Sequence, residues 1–396
     1  MKKLLLKNRQ SPGDIVMLTA AVRDLHRSQP GQFATDVRTP CGALWENNPH
    51  LTALAEDDAE AEMIECGYPL IHRSNGGPWH FIHGFTQFLA EKLGVEIQPT
   101  DFKGDIHLSA QEKGWISQVQ EITRERVPYW LVGAGGKYDF TAKWWAHERW
   151  QAVVEHFAGR ILFVQVGEKG HHHPALHGVL DLRGRTDLRQ LVRLVHHAQG
   201  VLCPVTLLMH LAAAVEVGPG MPQNRPCVVV AGGREPAQWE AYPHHQYIHT
   251  NGALRCCDHG GCWKARVVPL GDGDGKDEAG NLCVDVVEIA TGRRQSGAAW
   301  GEENAERSIL RQTQDRLTNA QRPTPNGEAA EPFTNHSSTI TTPAFLPRCL
   351  DMISAEEVMR RIELYFEGGA VRYLTGGERR VCAETIPALD WEAVVA

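Results

Sequence analysis

Apolar residues along the chain occur either in short continuous runs or at helical spacing. Residues 4–6 are three leucines that predict a buried strand, and residues 15–25 carry apolar side chains at the spacing of a helix. Between them lies a Ser-Pro-Gly-Asp turn at residues 11–14, whose residue types are typical of a helix start. The chain is therefore predicted to open with a strand, a loop and a helix.

The same alternation continues along the chain. Further strands are predicted at residues 33–37, 63–65, 129–133, 161–166, 200–203 and 226–231, and further helices at residues 79–93, 148–157, 188–197, 209–215 and 354–366. Strands that alternate with helices favour a parallel sheet covered on both faces. Two such series predict an α/β protein with two domains and a ligand cleft at the carboxyl ends of the strands.

Changes in composition suggest where the domains begin and end. We expect a first domain over residues 1–125 and a second over residues 126–290. Residues 291–343 are rich in Gln, Asn, Thr, Arg, Glu, Pro and Gly and poor in apolar residues, which predicts a disordered, mobile insertion. Residues 344–396, with one predicted helix, would complete the second domain.

The overall composition excludes several classes of function. Lys and Arg number 40 against 48 Asp and Glu, a formal charge of -8, so nothing indicates a surface for nucleic acid or anionic lipid. No run approaches the roughly 18 apolar residues of a membrane-spanning helix, and residues 4–6 are too short a run for a signal peptide. We expect a cytoplasmic protein whose ten cysteines are metal ligands or buried thiols instead of disulfides.

Asp14 is the first candidate for chemistry. It stands where the first strand meets the first helix, so its carboxylate is expected to project into the crevice above the sheet, where it could act as a base. The alternative is structural, because Asp and Ser at this position also cap a helix, a contribution of roughly 1 kcal/mol. The local pattern leaves both roles open.

Four stretches of sequence carry a more specific signal because they occur in a fixed order. They are residues 11–23 (Ser-Pro-Gly-Asp before an apolar helix and Arg), 143–150 (Lys-Trp-Trp-Ala-His-Glu-Arg-Trp), 184–188 (Gly-Arg-Thr-Asp-Leu) and 209–214 (Met-His-Leu-Ala-Ala-Ala). Together they resemble glycosyltransferase family 9, the ADP-heptose heptosyltransferases. The resemblance implies the GT-B fold of two facing Rossmann-like domains and a place in lipopolysaccharide biosynthesis.

The resemblance also implies roles for individual residues. Asp14 matches a general base that takes the proton of an acceptor hydroxyl, and Lys143 matches a lysine that contacts the donor diphosphate. The start of the helix with the Met-His motif is expected to offer backbone N–H groups to that diphosphate, and the glycine-rich turn at residues 133–136 to lie near the nucleotide. The donor-binding candidates are Lys143, Thr206, Leu207, Leu208, Met209, His210 and Gly135.

The chain departs from the family pattern at three places. Pro12 replaces an apolar residue, Ala146 replaces a proline, and Val-Thr-Leu-Leu at residues 205–208 replaces Asp-Ser-Gly-Pro. Thr206 can supply the hydroxyl of the missing serine, but the acidic residue and the glycine have no counterpart. Structural roles are the alternative for two of these residues. Lys143 could be a solvated lysine at a helix start, and His210 could be a hydrogen-bonded histidine of the core.

Five cysteines form a second candidate site. Four of Cys256, Cys257, Cys262, Cys283 and Cys349 could hold one structural iron or zinc ion, with the first two competing for one position. The arrangement resembles the four-cysteine iron-binding finger of the heptosyltransferases that modify bacterial autotransporters. Four sulfurs would leave no open position for substrate, so no catalytic metal is expected, and the alternative is a set of buried thiols.

Other metal-like patterns are interpreted as structural. The histidines at residues 171–173 and 244–245 lack neighbouring ligands at metal spacing and are predicted to lie in exposed loops. Gly-Asp-Gly-Asp-Gly at residues 271–275 lacks the glutamate that closes a calcium loop and is predicted to be a turn.

Three functions remain open at this point. The first is transfer of a heptose or related sugar from an ADP-linked donor to a glycan or protein hydroxyl. The second is a binding or scaffold protein of the same fold, suggested by the altered residues 205–208. The third is the same enzyme class with another nucleotide sugar. The sequence leaves the oligomeric state and the acceptor open.

Overall fold

The computed structural model describes residues 1–67, 70–71, 73–288 and 345–386. The insertion predicted at residues 291–343 lies outside these residues, so its predicted mobility stays a prediction. Within the described residues, no helix has both the length and the apolar character to cross a lipid bilayer.

The amino-terminal part contains a three-stranded parallel sheet. Its strands are β1 (Lys2–Lys7), β2 (Phe33–Arg38) and β3 (Ala61–Glu65), in the order β2-β1-β3. The accompanying helices are α1 (Pro12–Ser28), α2 (Phe81–Leu93), α3 (Ala110–Lys113) and α4 (Gln118–Thr123). The three leucines of β1 are buried, as their continuous apolar run predicted.

The second part contains a six-stranded parallel sheet in the order β6-β5-β4-β7-β8-β9. The strands are β4 (Tyr129–Val132), β5 (Leu162–Gln165), β6 (Leu180–Asp181), β7 (Gly200–Pro204), β8 (Cys227–Gly232) and β9 (His245–His249). The helices are α5 (His147–His156), α6 (Leu188–His197), α7 (Leu207–Ala214), α8 (Ala237–Glu240), α9 (Arg348–Asp351), α10 (Ala355–Glu367) and α11 (Gly376–Thr385). An antiparallel pair, β10 (Val286–Glu288) and β11 (Phe345–Pro347), leads into α9.

Helix α1 is buried along most of its length. Every residue from Ile15 to Leu25 is buried, including the polar Arg23 and Asp24, which pair with each other at 3.0 Å. This burial follows from the position of α1, which packs against α2 of the first part and α7 of the second part. The hydrophobic core is therefore shared between the two parts of the chain.

The parallel strands place four loops at one edge of the molecule. β1 leads into α1, β4 into the glycine-rich turn at residues 133–136, β7 into α7, and β8 into the loop that contains Glu235. Ligands of open α/β sheets bind beyond the carboxyl ends of the strands. The fold therefore brings the candidate residues of three separate motifs to one edge.

Candidate active site

The amino-terminal ends of α1 and α7 face each other across the two parts of the chain. A Cβ atom built on Gly13 would lie 3.0 Å from Cδ2 of His210 and 3.8 Å from Cα of Leu207. This approach is tight, so a side chain at position 13 would require the His210 ring to shift. The positive ends of two helix dipoles thus meet at the edge where Asp14 and the donor-binding candidates of α7 lie.

Asp14 stands in the first turn of α1 and is partly exposed. Its Oδ2 accepts a hydrogen bond of 2.8 Å from the backbone N–H of Ser11, so the capping role is present. The Ser11 hydroxyl in turn accepts a hydrogen bond of 3.0 Å from Nζ of Lys137, which follows the glycine-rich turn of the second part. The structure therefore holds the Asp14 carboxylate in place at the junction between the two parts.

Lys143 is paired inside the molecule. Its Nζ lies 2.6 Å from Oε1 of Glu235 and donates to the backbone oxygen of Val205 at 3.4 Å. Glu235 is 2% exposed and is also paired with Arg234. Burial alone would raise the pKa of Glu235, but the charges of Arg234 and Lys143 lower it below its ordinary value. Lys143 is thus fixed beside Val205, two residues before the start of α7.

The start of α7 leaves backbone donors without a side-chain cap. Thr206 stands at the cap position, but its hydroxyl donates to the carbonyl of Pro204 at 3.4 Å and makes no capping bond. The side chains of Leu208, Met209 and His210 are buried, so α7 can reach a ligand at this end mainly through its backbone. Uncapped N–H groups at a helix start suit an anion such as a diphosphate.

His210 belongs to a buried polar group behind α7. Its Nδ1 lies 2.8 Å from the Tyr242 hydroxyl, and its Nε2 lies 3.6 Å from Oε2 of Glu240. Burial lowers the pKa of His210 to about 3. Burial, reinforced by the charge of Glu235, raises the pKa of Glu240 to about 8. Both side chains are therefore neutral at pH 7, as a buried site with few partners requires.

The burial of these neutral side chains determines how the free energy of unfolding depends on pH. Burial also lowers the pKa of His80 to about 3. Unfolded histidine takes up a proton below about pH 6.5, so the stability due to His80 and His210 is complete above that pH and is lost on acidification. Glu240 acts in the opposite direction between pH 8 and 4.5. Other buried histidines, among them His172 and His245, have lowered pKa values too, so stability should fall as the pH drops below about 6.5, and Glu240 offsets only part of that loss.

Urea unfolding at several pH values between 7.5 and about 5 would measure this slope. The variant His210→Asn should give a shallower dependence, because one of the histidines that take up a proton on unfolding is gone. Equal slopes for the variant and the wild type would show that His210 does not titrate as its burial demands.

Gly135 is fixed by a close backbone approach. It has a φ of +134°, and a Cβ there would overlap the carbonyl oxygen of His172. Gly136 and His172 exchange two backbone hydrogen bonds of 2.9 and 3.0 Å, so the turn after β4 is tied to the loop after β5. The prediction that the histidines at 171–173 are exposed is wrong for His172. Its ring is buried against Trp144, with centroids 4.0 Å apart.

The cysteine candidates gather around the loop after β8. A Cβ on Gly233 would lie 3.0 Å from Sγ of Cys257 and 3.4 Å from Cβ of Cys349. A hydrogen bond from Cys256 lowers the pKa of Cys262 to about 7, whereas burial raises the pKa of Cys283 to about 12. Burial likewise raises the pKa of Cys349 to about 12, and Cys262 and Cys283 lie close enough to Cys349 to act on it electrostatically.

The five cysteines supply the thiol ligands that an iron or zinc ion needs, and they lie in one region of the structure. In the described ranges, however, no three of the five sulfurs lie within 4.8 Å of one another. Binding one ion would therefore require rotation of the cysteine side chains toward a common centre.

The acidic loop at residues 271–275 is explained by an arginine. Arg266 is fully buried and lies 2.6 Å from Asp272, 3.0 Å from Asp274 and 2.6 Å from Asp277. Asp139, Asp272 and Asp274 lie close enough together to suggest a cation, but the guanidinium already supplies the positive charge. The loop consists of turns and bends, in agreement with the turn predicted from the sequence.

The sequence did not reveal Glu235, Glu240, Tyr242 or Lys137. Glu235 and Lys137 each follow a buried strand at its carboxyl end, which is the one signal that could have singled them out. Glu240 and Tyr242 lie farther along the chain, and only the three-dimensional structure shows that they stand behind α7.

Residues 78–258 match the model of glycosyltransferase family 9 (heptosyltransferase). No curated protein sequence matches the chain. Among solved structures, the iron-containing dodecameric glycosyltransferase TibC from enterotoxigenic E. coli H10407 is 16% identical, with a TM-score of 0.52 over 93% of this chain and 76% of that chain. A glycosyl transferase family 9 protein from Veillonella parvula DSM 2008 is 13% identical, with a TM-score of 0.47 over 63% of this chain and 87% of that chain.

The ADP-heptose lps heptosyltransferase II of E. coli is also similar, at 16% identity and a TM-score of 0.41, over 63% of this chain and 90% of that chain. The family match confirms the resemblance to glycosyltransferase family 9 and the prediction that the protein is a glycosyltransferase. The likeness to TibC over nearly the whole chain confirms the α/β, GT-B fold.

Proposed function

We propose that this glycosyltransferase moves a heptose or a related sugar from an ADP-linked donor to a hydroxyl group of a glycan or a protein. The observation that carries the proposal is the meeting of the α1 and α7 amino-terminal ends, with Asp14 on one and Lys143 beside the other. Such a junction offers a base and an anion site within one cleft. The family match adds the heptosyltransferase class as support.

In this proposal the donor diphosphate binds at the start of α7 and near Lys143. The acceptor hydroxyl oxygen attacks the anomeric carbon of the sugar, and its proton passes to the carboxylate of Asp14. The bond between the anomeric carbon and the diphosphate oxygen breaks, and its electron pair leaves with ADP. Lys143 and the N–H groups of Leu207 and Leu208 stabilise the charge that develops on the leaving group. No step is assigned to a metal.

A thermal-shift comparison of ADP-, UDP- and GDP-sugars tests the donor. A ligand that binds only the folded state at 100 times its Kd adds about 2.7 kcal/mol of stability, so the true donor should raise the Tm clearly. We expect ADP-heptose to give the largest shift. A larger shift with a UDP- or GDP-sugar would change the donor and keep the enzyme class.

A non-catalytic scaffold is the second candidate, and one observation favours it. Residues 205–208 lack the acidic residue and the glycine of the family motif, and Thr206 does not cap α7. A scaffold of this fold would bind no nucleotide sugar productively. The absence of any shift with all three donor classes would therefore support it.

We also propose that four of the five clustered cysteines hold one structural iron or zinc ion. The support is the gathering of Cys256, Cys257, Cys262, Cys283 and Cys349 around the loop after β8. TibC, which shares the fold, is described as iron-containing. Such an ion would pin the loop after β8 to the segment that carries Cys349.

The metal proposal predicts about one ion per chain in the purified protein. Cys262→Ser should lower both the metal content and the Tm, because metal binding is coupled to folding. Elemental analysis and thermal unfolding measure the two quantities. The variant Cys66→Ala, which removes a distant buried thiol, should keep the metal. Metal-free wild-type protein of unchanged stability would contradict the proposal.

Three further features belong to the same proposal. We assign residues 1–125 to the acceptor side and residues 126–290 with 344–396 to the donor side, and we place the enzyme in the cytoplasm.

An oligomer is supported by the description of TibC as dodecameric and by exposed apolar side chains at Trp115 and Ile116, 41% and 46% exposed. Light scattering of the full chain would measure its assembly state.

A further inference from the structure

The carboxylate partner of Lys143 comes from an unexpected part of the chain. The family motif begins with an acidic residue at the position that Val205 occupies in this chain, just before the cap of α7. Lys143 nevertheless contacts Val205, through the backbone oxygen at 3.4 Å, and finds its carboxylate at Glu235, 2.6 Å away. Glu235 lies in the loop after β8, about 30 residues further along the chain than Val205.

Glu235 is held rigidly where it meets Lys143. The side chain of Glu235 is 1% exposed, whereas that of Lys143 is 21% exposed. A second cation, Arg234, pairs with the same oxygen, and the Arg234 guanidinium donates to the carbonyl of Lys264 at 2.5 Å. A carboxylate buried in this way must remain paired, because an unpaired buried charge is strongly unfavourable. The ammonium of Lys143 is therefore tied to a fixed point of the loop.

The location of this fixed point matters for the chemistry. The charges of Lys143, Asp14 and Arg234 all act on the neighbouring Glu240, so these groups lie around one centre. The carbonyl that Lys143 contacts belongs to the residue just before the α7 cap. Holding the ammonium there directs it toward the start of α7, where the donor diphosphate is proposed to bind.

The geometry points to Glu235 as a positioning residue that orients Lys143 toward the leaving group and stands in for the acidic residue absent at position 205. This role rests on the proposed function. It acts through Lys143, and Glu235 itself need not touch the substrate. It also explains how the altered residues 205–208 are compatible with turnover, since the carboxylate is supplied by a different loop.

If Glu235 positions Lys143, the variant Glu235→Gln should affect the Kd for ADP and the kcat differently. Glu235→Gln removes a negative charge beside the diphosphate, so the Kd for ADP should stay the same or decrease. The ammonium loses its fixed point, so kcat should fall about tenfold or more, the order expected when contacting residues are coupled. A purely structural role would instead weaken ADP binding and turnover together. The surface variant Glu125→Gln is the matched control and should change neither.

A double-mutant cycle tests whether Glu235 acts through Lys143. On the Lys143→Ala background, Glu235→Gln should lower kcat no further, because the residue it orients is gone. An undiminished effect on that background, or a wild-type kcat for Glu235→Gln, would overturn the inference. If Glu235→Gln does not fold, Glu235→Asp keeps the charge and withdraws the carboxylate by one methylene. Glu235→Asp should then lower kcat with ADP binding retained, and a wild-type kcat would overturn the inference equally.

The cycle also separates this inference from the proposed function. A wild-type protein that neither binds nor turns over ADP-heptose would contradict the proposed function itself. A wild-type protein that is active, with variants whose effects simply multiply, would contradict only the role of Glu235.

Discussion

Asparagine at position 14 should lower the rate of sugar transfer by about 10²–10⁴-fold while the affinity for ADP stays near that of the wild type. The carboxylate of Asp14 is proposed to take the proton of the acceptor hydroxyl, and an amide cannot do so. The donor diphosphate is proposed to bind at α7 and Lys143, which this change leaves in place. Steady-state release of ADP and calorimetric binding of ADP measure the two effects separately.

The substitution is chosen so that the capping role survives. Asp14 accepts a hydrogen bond from the Ser11 N–H through Oδ2, and the oxygen of an asparagine can accept the same bond. The Tm of Asp14→Asn should therefore stay close to that of the wild type, whereas Asp14→Ala should lower it by losing the cap. Asp57→Asn changes an exposed carboxylate and serves as the control. Wild-type turnover in Asp14→Asn would show that Asp14 caps the helix and does not act as the base.

Alanine at position 143 should impair both donor binding and turnover. Lys143 is proposed to contact the diphosphate in the bound donor and again in the transition state, so its loss should raise the donor KM and lower kcat, in total by about 10²-fold or more in kcat/KM. Initial rates at varied donor concentration give both constants. Among single substitutions at the site, this one should differ from Asp14→Asn by its weakened binding of ADP.

A stability control is needed because Lys143 is also a structural partner. Lys143→Ala leaves Glu235 with Arg234 as its cation partner, so the variant should melt at a lower temperature. Lys143→Ala combined with Glu235→Gln removes the excess charge and should recover part of the lost Tm without recovering activity. Lys92→Ala changes an exposed lysine of α2 and should alter neither quantity. An unchanged donor KM in Lys143→Ala would contradict the diphosphate contact.

The fold was predictable where long apolar patterns determine the elements. The leucines of β1 and the apolar period of α1 gave both elements correctly, because burial on a sheet and on a helix face leaves a clear mark on the sequence. The short helices α3 and α4, of four and six residues, carry too little pattern to be recognised. Strand β9, His-Gln-Tyr-Ile-His, has only one buried residue and was missed for the same reason.

The site was predictable only in part. Asp14 and Lys143 were predicted as site residues because each lies in an ordered motif, and the structure brings their helix and loop to the same edge of the sheets. Glu235 could not be found in this way, since its pairing with Lys143 depends on the neighbouring positions of β7 and β8 in the second sheet. The burial of His172 was likewise decided by a contact with Trp144, which lies far away in sequence.

The most direct test of the account is the release of ADP from ADP-heptose by the purified full chain with a hydroxyl-bearing glycan or protein acceptor present, measured beside Asp14→Asn under the same conditions. The wild type should release ADP well above the rate in buffer. The variant should release it at least about 10²-fold more slowly than the wild type. Equal release by the wild type, the variant and buffer alone would contradict the proposal that this protein transfers sugar from an ADP-linked donor with Asp14 as the base.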